Sequence, residues 1–297
     1  MLILEGRKHY IVAVIVLVVS TVSLIYGSRY LFKRTSPSLA KSIQYQYALQ
    51  NSSGHALKAV RFYAFVPIKQ TSFQWCQNIQ ASHPYEIQTD DCGHQYLCFT
   101  FDTLPPYATK IVTLQTKLML SSYKPKNKKQ NLQSYLTSEQ YIESDHPLII
   151  QTAQNLKAHK PIKTAENIFN WVAAHITYAG YTKNAHGALY AHLYQKRDCT
   201  EYMHLFIALC RANQIPARGI AGYVVTTNRK VKPSEYHNWA EFFDGKRWQI
   251  ADPQKKIFMQ DEQNYIAMRI LHTTPNAPIE PFKRFKVDPK GVKVKMI

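Results

Sequence analysis

The alternation of apolar and polar positions changes period twice along this chain. Residues 43–49, Ile-Gln-Tyr-Gln-Tyr-Ala-Leu, alternate at period two, and Asn51-Ser-Ser-Gly then marks a turn. The runs 60–66, 96–101 and 110–116 follow with turn residues between them. Several short strands without a helical stretch predict a small β-sandwich over 36–122. From about 146 the period lengthens. Ile168, Phe169, Val172 and Ile176 share one helical face, with Thr164 as the expected N-cap. Met203, Phe206, Ile207, Cys210 and Arg211 recur at three- and four-residue steps and predict another helix beginning at Cys199. Strand signals return on either side of Asp244-Gly245, a two-residue hairpin signal. Helices followed by strands predict an α+β domain over 146–297, separated from the sandwich by a basic linker at 123–145.

A different pattern opens the chain. Residues 10–26 carry no charge and follow Arg7 and Lys8. Seventeen residues is the lower limit of a membrane-spanning helix. No small-x-small cleavage site is suitably placed after it, so residues 1–35 are expected to form an uncleaved transmembrane anchor and its flanks. Positive residues lie on both sides, with Arg29, Lys33 and Arg34 following the segment. The expected orientation is a single-pass anchor with its N-terminus inside and the folded body on the extracytoplasmic side.

The chain has 297 residues and a formal net charge of +18. Lys124, Lys126, Lys128 and Lys129 form one basic knot, and Lys283, Arg284, Lys286, Lys290, Lys293 and Lys295 crowd the C-terminal end. Such an excess attracts lipid head groups or an anionic envelope polymer. Nucleic acid is not an expected partner, because no nucleic-acid-binding signature accompanies the charge. Of five cysteines, Cys76, Cys92 and Cys98 lie close together in the strand-rich region, where an oxidising compartment could join two of them. Cys92, His94 and Cys98 lack the second ligand cluster of a zinc site, and no Asp-rich loop points to calcium. No metal or other cofactor is expected.

Candidate chemistry gathers around Cys199. Asp198 and Glu201 have the spacing of a capping box, with Asp in place of the usual Ser or Thr. Cys199 then takes the first helical position, where free N–H groups and the helix dipole favour a thiolate and could receive an oxyanion. The two acidic neighbours oppose this, so much of the activation must come from elsewhere. Zipping a hairpin outward from an Asp244-Gly245 turn sets Phe243 against Lys246, Glu241 against Trp248, Trp239 against Ile250 and His237 against Asp252. An opposed pair lies within hydrogen-bonding reach. Together these residues have the logic of a Cys-His-Asp nucleophile. Cys210, in mid-helix, reads as core, as do Trp171 and Trp239.

These residues resemble the transglutaminase-like superfamily of papain-type folds. The stretch from Arg197 to Tyr223 looks like that family's nucleophile helix and following strand. His237-Asn-Trp is similar to its His-x-Trp motif, and Trp248-Gln-Ile-Ala-Asp-Pro to its Trp-x-x-x-Asp-Pro motif. The likeness covers about residues 145–270, while the preceding β domain is similar to one found in some bacterial relatives. One departure is Asp198, where many relatives have a preceding Gly. The resemblance implies a papain-like transglutaminase core with Cys199 as nucleophile, His237 as acid and base, and Asp252 as its orienter. Some relatives complete the oxyanion hole from an upstream side chain, for which Tyr181 is the candidate here. The implied activity is acyl transfer on peptide or carboxamide bonds of a protein or peptide substrate. Hydrolysis is favoured, because no motif would hold an acceptor amine. Protein crosslinking and a non-catalytic envelope scaffold are the alternatives.

Overall fold

A computed structural model describes residues 39–90, 93–120, 131–182, 184–271, 279 and 283–297. The expected membrane segment at 10–26, the lysine knot at 124–129 and Cys92 lie outside these residues. Among the described residues no helix is long and apolar enough to cross a membrane.

Six strands open the described part: β1 (Leu39–Asn51), β2 (Leu57–Val66), β3 (Gln74–Ala81), β4 (Glu86–Thr89), β5 (Gln95–Leu104) and β6 (Thr109–Leu120). In β1 the period-two pattern has its physical counterpart: Ile43, Tyr45, Tyr47 and Leu49 point inward, while Ser42, Gln44 and Gln46 are less buried. Strands β1, β6 and β3 form one sheet, and β2, β5 and β4 another. The two sheets share one core, with Phe62 stacked on Phe99 and Tyr47 edge-on to Phe62. Cys76 is buried in this core, and Cys98 is buried outside it; both are free thiols.

Helices α1 (Pro147–Asn155), α2 (Pro161–His175), α3 (Ala188–Tyr194) and α4 (Cys199–Ala212) follow, with the short parallel pair β7 (Thr177–Tyr178) and β8 (Lys196–Arg197) between them. Thr164 is not the N-cap of α2. The helix begins a turn earlier at Pro161, where proline's missing N–H costs nothing, and Thr164 bonds to Ala158 instead. Helix α4 is buried all round from Glu201 to Arg211 and forms the axis of a second core with α1, α2 and α3. Its buried Arg211 is satisfied by Ala217 O, Thr137 O and Glu139 Oε1 at 3.0, 2.7 and 2.8 Å.

The remaining strands are β9 (Ala217–Val224), β10 (Arg229–Lys230), β11 (Tyr236–Phe243), β12 (Trp248–Asp252), β13 (Ile257–Phe258), β14 (Tyr265–Leu271), β15 (Phe285–Asp288) and β16 (Val292–Met296). Five of them make an antiparallel sheet in the order β13-β12-β11-β9-β14. Ala240, Phe242 and Ala251 of this sheet join the core of α4, whereas Tyr223, Ile266 and Met268 join the sandwich core. Covered on both faces, β9 is buried from Ala217 to Tyr223. The C-terminal strands, expected within the second domain, pair instead with the sandwich: β16 with β1, and β15 with β2. Residues 39–297 accordingly form one compact unit rather than a sandwich merely tethered to a core.

The expected hairpin register is corrected by two residues. Phe243 pairs with Trp248, Glu241 with Ile250 and Ala240 with Ala251. The turn has moved because Asp244 caps it: Oδ1 accepts the N–H groups of Lys246 and Arg247, both at 2.8 Å, and its own N–H donates to Arg247 O. A two-residue shift keeps every side chain on its expected face. Continued outward, this register makes His237 a diagonal neighbour of Asp252 rather than its direct opposite.

Gly222 sits opposite His237 and beneath an irregularity of β14. A Cβ there would lie 2.0 Å from Ile266 O and 3.0 Å from Trp239 Cη2. Gly222→Ala should therefore cost on the order of 3 kcal/mol of stability, since overpacking against backbone cannot relax cheaply. Urea denaturation measures it, and an unchanged midpoint would contradict the packing.

Candidate active site

Asp198 extends ahead of α4 and accepts the N–H of Thr200 through Oδ1 at 2.8 Å, which makes it the N-cap and Cys199 the first helical residue. The expected reciprocal box does not form. Glu201 Oε1 turns away to accept the N–H of His186 at 2.9 Å. Asp198 Oδ2 meanwhile accepts the N–H and hydroxyl of Thr182 at 2.9 and 3.1 Å. The segment leading from β7 to α3 is thus tied at Thr182 and His186 to the two carboxyls flanking Cys199.

Two contacts dock the start of α4 against β11. Asn238 Nδ2 donates to Thr200 Oγ1 at 3.0 Å, and the backbone N–H of Asn238 stands near enough to the Cys199 sulfur to favour its thiolate. Asn238 follows His237, so the thiol and the imidazole are carried by elements joined within one residue of each. His237 Nε2 lies 2.6 Å from Asp252 Oδ2, with both side chains buried. The bond uses the imidazole's outer nitrogen, which suits a diagonal pairing, and leaves Nδ1 disengaged from Asp252. Asp252 also accepts the Tyr265 hydroxyl at Oδ2 and the Lys255 N–H at Oδ1, at 2.9 and 3.1 Å. Trp239 packs against the rings of both His237 and Tyr265, with centroids 6.2 and 5.0 Å away.

Tyr181 sits on the segment tied to Asp198, but its side chain is 78 % exposed and no hydrogen bond joins it to Cys199, His237 or Asp252. Thr182, Thr200, Asn238 and Tyr265 were not singled out by sequence. Thr200 and Asn238 adjoin the motif residues, so proximity was the available signal. Tyr265 had none, because its contact with Asp252 depends on how β14 crosses the sheet.

The electrostatics are unfavourable to a free thiolate. Burial pushes the Cys199 thiol up to about 11; the charges of Asp198 and Asp252 add to this, while the Asn238 N–H and the Thr200 side chain oppose it. Glu201, fully buried, is raised to about 7, first by burial and then by Asp198, despite the His186 N–H. The interaction between the two side chains raises Glu201 and lowers Asp198, as expected when Glu201 keeps the proton. Asp198 also pays for burial, but the N–H groups of Thr182 and Thr200 outweigh that and hold it below its ordinary value.

Residues 150–253 match the family model of the Transglutaminase-like superfamily. Among solved structures, a candidate cysteine protease from Cytophaga hutchinsonii superposes with a TM-score of 0.62 at 16 % identity, covering 88 % of this chain and 89 % of the other. The periplasmic domain of TgpA from Pseudomonas aeruginosa, solved with ethylmercury bound, matches at 14 % identity and a TM-score of 0.37, over 69 % and 97 % of the two chains. No match was found among curated proteins. The α+β part of the chain thus contains a transglutaminase-like core within residues 150–253.

The raised Glu201 predicts a pH dependence of stability. Below the ordinary value of 4.5 both folded and unfolded chains are protonated there. Between 4.5 and about 7 the unfolded chain gives up the proton that the fold retains, so this contribution to stability is lost as pH rises through that window. Glu201→Gln should flatten the decline in thermal-denaturation series; an identical slope in both proteins would contradict the assignment.

Proposed function

We propose that this protein is a cysteine-dependent acyl-transfer enzyme, and that it hydrolyses peptide or carboxamide bonds. The transglutaminase-like fold supports the general class. The observation that carries the specific reading is the 2.6 Å His237–Asp252 bond on the strand whose next residue touches the Cys199 sulfur.

In this reading Cys199 does not ionise on its own, since its surroundings hold the thiol up. His237 takes the thiol proton to give a thiolate–imidazolium pair that Asp252 stabilises, and the sulfur then adds to the substrate carbonyl. The N–H groups at the start of α4 receive the oxyanion. His237 then passes the proton to the departing amine, leaving a thioester on Cys199. Water adds to that thioester, with His237 taking its proton, and releases the acid. Tyr181, on the neighbouring segment, serves as an oxyanion donor or as part of the substrate wall. Residues 10–26 anchor the chain in a membrane with its body on the extracytoplasmic side. The basic excess favours lipid head groups or an anionic envelope polymer near the protein or peptide substrate.

The test is selective alkylation. Native protein treated with limiting iodoacetamide near neutral pH should be modified first at Cys199, as read by peptide mass spectrometry. Faster labelling of Cys76, Cys98 or Cys210, all buried, would overturn the assignment. With a turnover assay in hand, Asp252→Asn should fold and lose on the order of 10⁴-fold in rate, because an amide cannot stabilise the imidazolium.

A further inference from the structure

Asp252 Oδ2 accepts two hydrogen bonds, and only one of them belongs to the triad reading. The second comes from the Tyr265 hydroxyl, 2.9 Å away, on the first residue of β14. Tyr265 is 3 % exposed, and burial followed by the Asp252 charge holds its phenol well above the ordinary value, so it remains a proton donor. Its ring is fixed edge-on against Trp239, which is itself stacked on His237. The placement of this ring depends on Gly222, which lets β14 close onto β9 just beyond it.

We infer that Tyr265 is a positioning residue for the candidate active site: its hydroxyl holds Asp252 Oδ2 toward His237 and takes a share of that oxygen's charge. The inference rests on the Cys199–His237–Asp252 reading. Lys255 N–H fixes the other oxygen, so the carboxylate is held at both ends and cannot rotate to offer Oδ1 to the imidazole. Sharing Oδ2 also tempers the pull of Asp252 on the imidazolium. That matters here because the imidazolium must give its proton up again to the leaving amine. The other titratable groups around the pair are Cys199 and Asp198 at the start of α4 and Asp261 ahead of β14.

Tyr265→Phe keeps the ring and removes only the hydroxyl. The full-length chain should then show two changes. The hydrogen-bonded His237 Nε2 proton resonance, assigned by its loss in His237→Ala, should move further downfield as the imidazole gains sole use of Oδ2. Cys199 should also be alkylated faster near neutral pH, by about threefold, because a better stabilised imidazolium raises the share of thiolate. A lower melting temperature with both readouts unmoved would reduce Tyr265 to a structural residue and overturn the inference. Should the variant not fold, the unaltered protein decides: a cross-relaxation peak between the Tyr265 hydroxyl proton and the His237 Nε2 proton is expected, and its absence where the His237 proton is visible contradicts the proposal. Failure of the underlying reading looks different. In that case His237→Ala leaves the Cys199 alkylation rate unchanged, whatever Tyr265→Phe does to the resonance.

Discussion

A carboxylate buried to 1 % exposure organises this half of the molecule. Asp252 needs donors, because an ionised carboxylate without them would cost several kcal/mol or take up a proton. It finds three: an imidazole from β11, a phenol from β14 and the N–H of Lys255 in the turn that follows. Satisfying that one group draws on the centre of the five-stranded sheet, one of its edges and the turn that follows β12. It thereby fixes where His237 can stand. The helix side is fixed separately, through Asn238, which bonds to Thr200 and sets its N–H near the Cys199 sulfur.

The surroundings of Cys199 combine opposing influences. A helix N-terminus favours a thiolate. Burial and the nearby Asp198 and Asp252 disfavour it, and together they win. A thiol of this kind is inert until a base accepts its proton, which makes reactivity conditional on the His237–Asp252 pair. Glu201 contributes to the same balance, since burial and Asp198 raise it to about 7 and so reduce the negative charge beside the cysteine below that pH. The same carboxyls secure Thr182 and His186, coupling the charge state beside the sulfur to the shape of the approaching segment.

Much of this was legible in the chain because local chemistry agreed with tertiary structure. Period-two alternation marked β1, and Asp198 marked the start of α4, because both signals concern backbone needs that any fold must meet. The hairpin was legible as to face but not register. Asp244-Gly245 reads as the turn itself, yet the Asp244 carboxylate captures the next N–H groups and shifts the closing pair to Phe243 and Trp248. Period two rescued the inference, since a shift of two leaves His237 on the same face as Asp252. Other features depend on distant partners and left no local trace. Glu201 has ideal spacing for a capping box, but a backbone N–H fifteen residues upstream takes its carboxyl. The C-terminal strands read as an extension of the second domain, whereas their edges complete β1 and β2.

The central claim is that the thiol of Cys199 gives its proton to His237. Ultraviolet thiolate absorbance followed against pH reports this directly, in the unaltered protein and in the Cys199→Ser and His237→Ala variants. The account predicts a thiolate signal near neutral pH that disappears with either substitution. In His237→Ala it should return only in alkaline solution, because burial and the charges of Asp198 and Asp252 then disfavour the thiolate with no base to take its proton. A neutral-pH thiolate that survives His237→Ala, or no thiolate near neutral pH in the unaltered protein, would contradict it.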